Sequence, residues 1–91
     1  MHLPDAKDAV IENLQALQFS LTRAVDQGMI DNDSAYENLI LTLIDQALAT
    51  ESWSELEEII FKAKILEEDI DTWLSLRGMT TMGLEWPGKT S

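Results

Sequence analysis

The amino-acid sequence predicts an all-α protein: a small three- or four-helix up-down antiparallel bundle with an irregular C-terminal tail. Two observations carry this expectation. Apolar residues recur every three or four positions through three successive segments, the period of a helix that buries one face. Those segments are separated by short runs of Gly, Asp, Asn, Ser and Thr, residues that stop one helix and cap the next.

The first helix is expected over about 5–27. Pro4 suits a first turn, and Asp5 and Asp8 suit the positive end of the helix dipole. Val10, Leu14, Leu17, Leu21 and Ala24 form a stripe at helical spacing, widened by Ile11 and Val25. Gly28 stands where a left-handed C-terminal cap is wanted. Asp31-Asn32-Asp33-Ser34 then reads as a turn, with Asp33 or Ser34 as the next cap and Glu37 completing a capping box with Ser34.

The second helix is expected over 35–49. Tyr36, Leu39, Ile40, Leu41, Leu43, Ile44, Ala47 and Leu48 cover so wide an arc that this helix is expected in the middle of the bundle. Thr50-Glu51-Ser52 breaks the chain, and Ser52 with Glu55 forms another capping box. A third helix is expected over 53–76, either continuous or broken near residue 68. In the broken form the acidic run Glu67-Glu68-Asp69-Ile70-Asp71 ends it, and Asp69 caps a short fourth helix. From Met79 the periodicity stops. The domain is therefore expected to span 1–78, with 79–91 as the tail.

Composition limits the function. A chain of 91 residues suits one domain, and 45% hydrophobic residues is a globular fraction, not that of a disordered acidic segment. Seventeen Asp and Glu against six Lys and Arg give a net charge of −11. Such a surface repels bare nucleic acid and anionic membranes and favours basic partners. There is no cysteine, which excludes disulfides, thiolate nucleophiles and zinc–cysteine sites. The N-terminal residues do not resemble a secretory signal, and no apolar run approaches the roughly 20 residues of a membrane span, so a cytoplasmic location is expected.

The motifs that suggest chemistry fail on their context. Gly83-Leu84-Glu85-Trp86-Pro87-Gly88-Lys89-Thr90 fits the phosphate-loop pattern G-x-x-x-x-G-K-T. That loop works between a buried strand and a helix N-terminus, and no strand-like run precedes Gly83. His2, the one histidine, stands outside the expected helices with no orienting partner. Asp31, Asp33 and Glu37 open like a calcium loop, but Ala35 and Tyr36 fall where a ligand and a glycine are required. No catalytic residue, metal site or cofactor is expected, and the chain reads as a non-enzyme.

The third segment carries the candidate binding surface. Trp53, Leu56, Ile59, Ile60, Ala63, Leu66, Ile70, Trp73 and Leu74 share one broad face, which is the expected core. Phe61 and Ile65 lie roughly opposite, one helical turn apart, ringed by Glu57, Glu58, Glu68 and Asp69. Three covers suggest themselves: another helix of the chain, the tail through Leu84 and Trp86, or a partner. Phe19 on the back of the first helix poses the same question.

The stretch from Ala47 to Ala63 resembles the second half of a tetratricopeptide repeat, with Leu56, Ile60 and Ala63 at packing positions. It lacks that family's small residue in the first helix, its small residue at the Leu56 position and its closing proline, and it reads as a generic helical hairpin.

The expected function is that of an acidic protein-protein interaction module. It would bind a protein partner, basic in character, or a second copy of itself as a homodimer. The expected surface is Phe61 and Ile65 with Glu57, Glu58, Glu68 and Asp69, joined by Trp86. The alternative is an acidic inhibitor or nucleic-acid mimic whose carboxylates fill the basic groove of a nucleic-acid-binding protein.

Overall fold

The computed structural model describes residues 2–28, 34–76, 78 and 83–87. Among these residues there are three α-helices and no strand: α1 is Leu3–Asp26, α2 is Ser34–Ala49 and α3 is Trp53–Ser75.

α1 begins two residues before the expected start because Pro4 takes the first turn, where its missing N–H has no intrahelical role. His2 precedes it in an extended conformation, and its side chain makes no capping hydrogen bond. At the other end Gly28 adopts φ +72° and its N–H donates to the Val25 carbonyl at 3.0 Å. A Cβ in that left-handed region costs about 1 kcal/mol, which is why glycine stands there. Ala6, Val10, Leu14, Leu17, Leu21 and Ala24 are buried along one face, as the spacing predicts. Val25 is exposed.

α2 departs from expectation. Ile40, Leu43 and Ala47 are buried and Tyr36 and Ile44 pack against the core, but Leu39, Leu41 and Leu48 are exposed. The helix does not lie in the middle. Among the described residues it packs against α1 and α3, as each helix packs against the other two, so it buries one stripe and leaves the rest of its apolar arc outside. The turn and cap residues Asp31, Asn32 and Asp33 lie outside the described residues.

α3 starts as the capping box predicts. The Ser52 hydroxyl accepts from the Glu55 N–H at 3.2 Å, satisfying one of the unpaired donors of the first turn. The helix runs unbroken through the acidic stretch 67–71. Leu66, Ile70 and Leu74 repeat at four-residue spacing and are buried, so the core face holds the helix together where the charges alone suggested a break. Among the described residues there is no fourth helix.

Each helix packs against the other two around one core. Two long-range contacts tie helix ends together. Lys7, in the second turn of α1, donates to the Leu48 carbonyl at 3.1 Å and the Thr50 carbonyl at 2.7 Å, at the end of α2. Tyr36, near the start of α2, meets Trp73, near the end of α3, with ring centroids 5.6 Å apart. Thr50 is the buried polar residue at the α2–α3 turn, and its hydroxyl donates to the Gln46 carbonyl at 2.9 Å.

Residues 83–87 have no regular secondary structure, yet they are not loose from the helices. Leu84 and Trp86 pack against the core, and three hydrogen bonds described below hold the segment to α1 and α3.

Candidate interaction surface

Phe61 and Ile65 lie on the outer side of α3, as the helical wheel predicts, and they are exposed, Phe61 by 66% and Ile65 by 46%. Glu57, Glu58, Glu68 and Asp69 are exposed on the same helix. Ile65 leans toward α2. It lines an open groove of about 340 Å³ between the two helices, with Leu39, Leu43 and Leu66 as the other apolar walls. Lys62 and Asp69 on α3, and Thr42 and Gln46 on α2, supply its polar edges. A shallower, more polar continuation of about 300 Å³ runs along the same seam past Gln46, Glu58 and Lys62 to Thr50.

Leu43 on α2 and Leu66 on α3 line the groove and are buried. Leu39 and Ile65 line the same furrow and remain exposed, so they wall it without filling it. Phe61 lies one turn from Ile65 and flanks the furrow on its solvent side.

The tail lies elsewhere. The two oxygens of the Glu67 carboxylate accept from the Leu84 N–H and the Trp86 indole N–H, each at 3.1 Å. Asn13 on α1 donates its side-chain amide to the Glu85 carbonyl at 2.7 Å. Glu67 is two positions beyond Ile65, a rotation of about 160° around the helix. Residues 83–87 of the tail therefore occupy the α1–α3 side of the molecule, and the structure does not bring Trp86 to Phe61 and Ile65. Of the three covers that the sequence suggested, the described part of the tail, Gly83–Pro87, is thus not on the patch, and α2 covers Ile65 only in part.

Sequence reasoning placed Phe61, Ile65 and the acids on the outer side of α3, where they are exposed, but did not single out Leu39, which lines the groove with Ile65. Its signal was present: Leu39 falls at the edge of an arc too wide for a helix with two neighbours. Glu67 and Asn13 had no such signal, since a solvated carboxylate and one that holds a tail read alike in sequence.

Gly83–Pro87 of the phosphate-loop pattern have no regular secondary structure, while residues 79–82 before them and Gly88, Lys89 and Thr90 after them lie outside the described residues. Among the described residues no group of three or more His, Asp or Glu side chains could hold a metal ion. No described helix is long and apolar enough to cross a membrane. Phe19 is exposed on α1, with the Arg23 guanidinium 6.0 Å from its ring centre.

No protein-family model, curated protein or solved structure matches the chain.

Proposed function

We propose that this chain is a non-enzymatic protein-interaction module whose contact surface is the α2–α3 groove and the adjoining Phe61. The observation that carries the reading is an apolar furrow, walled by Leu39, Leu43, Ile65 and Leu66, left open beside a large exposed aromatic ring. The occupant that fits is an amphipathic helix from a partner, lying in the groove with its apolar stripe inward and basic side chains against Glu57, Glu58, Glu68 and Asp69. A second copy of this chain would bring another net charge of −11 to the same acidic face, which disfavours a homodimer there.

The same reading takes the helices as an up-down antiparallel bundle. Lys7 against Leu48 and Thr50 joins the start of α1 to the end of α2, and Tyr36 against Trp73 joins the start of α2 to the end of α3. A partner helix beside α2 and α3 would add a fourth member.

The test is titration of a synthetic amphipathic helix, with a leucine stripe and lysine flanks, into the wild type, Phe61→Ala and Ile65→Ala. Each substitution is expected to weaken binding by about tenfold, roughly 1.4 kcal/mol, while most of the affinity survives about 0.5 M salt. Because both side chains are substantially exposed, stability should move by only about 0.5 kcal/mol for Phe61→Ala and somewhat more for the half-exposed Ile65→Ala. Binding that vanishes in salt and ignores both substitutions would instead favour the acidic-mimic reading.

A further inference from the structure

We propose that the seam between α1 and α3 is a second recognition site, which binds an extended segment of a partner protein. That segment carries an apolar residue, a basic residue and a tryptophan in succession, and this chain's own Leu84-Glu85-Trp86 sits in the site as a resident stand-in. The site does not depend on the α2–α3 groove.

The seated tail shows what the site reads. Leu84 and Trp86 are half-buried against the core while Glu85 between them is exposed, the alternation of an extended chain. Two of the three hydrogen bonds go to backbone atoms, the Leu84 N–H and the Glu85 carbonyl. Such bonds hold any extended segment, and the pockets beneath alternate side chains give selectivity. The third bond is selective by itself. Glu67 offers one oxygen to a backbone N–H and the other to the indole N–H two residues later. An indole provides a ring with a donor at its rim, whereas phenylalanine has no such donor. Glu67 is therefore the specificity residue, and Asn13 fixes the register from the other helix.

The resident segment brings a like charge to the molecule on which it docks. Glu85 places a carboxylate on the surface of a molecule of net charge −11. A basic residue in that place would meet an attractive field at the same geometry. What favours the resident is tethering, which gives it an effective concentration of about millimolar. A partner segment with the better charge can displace it, and a second copy's tail, chemically identical but untethered, cannot gain in the same way.

The test uses the full chain. In Trp86→Ala the resident loses its anchoring ring. A blocked five-residue peptide of the 83–87 sequence, and the same peptide with Glu85→Lys, are titrated while the Asn13 side-chain amide is followed by nuclear magnetic resonance. Both peptides are expected to shift that resonance, the lysine peptide binding at least about threefold more tightly at low salt. Adding Glu67→Gln should weaken binding about tenfold, and adding Phe61→Ala should leave it unchanged. In the wild-type chain, excess lysine peptide should move the Trp86 indole resonance as the resident leaves, a readout that stands even if the Trp86 variant folds poorly. An Asn13 resonance that ignores both peptides overturns the proposal, as does binding indifferent to Glu67→Gln. So does a wild-type chain that dimerises on concentration and loses the dimer on Glu67→Gln, because the occupant is then a second copy.

Discussion

Lys7 supplies to α2 a charge that α2 lacks. The last turn of that helix contains no basic residue, so its terminal carbonyls, which carry the negative end of the helix dipole, have no cation of their own. Lys7 reaches them from α1, donating to Leu48 and Thr50. Two charge-assisted bonds at a half-buried ammonium outweigh an ordinary surface ion pair. Lys7→Met keeps the aliphatic stem and removes the donors. It is expected to lower stability by about 1 kcal/mol, seen as a lower denaturant midpoint with unchanged slope. This contact was not legible in the sequence. A lysine at the start of one helix looks solvated until the fold brings another helix end beside it.

At the scale of elements, caps and stripes were legible and depth was not. Ser52 and Glu55 announced the start of α3, and Ser52→Ala should destabilise the protein by about 1 kcal/mol by leaving the Glu55 N–H without its acceptor, as measured by thermal or urea unfolding. Gly28 announced the end of α1 in the same way. The acidic run 67–71 was ambiguous because charge pattern and apolar period disagreed there. Ile70 and Leu74 decided for continuity, since burying them outweighs weak repulsion among solvated carboxylates. α2 was misplaced for a related reason. Periodicity shows which residues share a face, but how much of the arc becomes buried depends on the number of neighbours.

For the whole molecule, the all-helical class followed from the sequence because three stripes must bury themselves against one another. The Phe61–Ile65 patch was legible too, as the part of α3 that its own core leaves over. The docking of residues 83–87 was not. Glycine and proline signal only that a helix has ended, and where Leu84 and Trp86 land depends on Glu67 and Asn13, which stand 54 positions apart in the chain. The exposed leucines of α2 have one more consequence, which belongs to colloid chemistry. Leu41 and Leu48, seven positions apart and so on one side of α2, form a sticky face on a particle whose net charge keeps its copies apart. That charge vanishes at the isoelectric point, near pH 4.1. Turbidity should therefore peak there and clear on either side, and Leu41→Gln with Leu48→Gln should flatten the peak, leaving a protein that stays in solution even without net charge to keep its molecules apart.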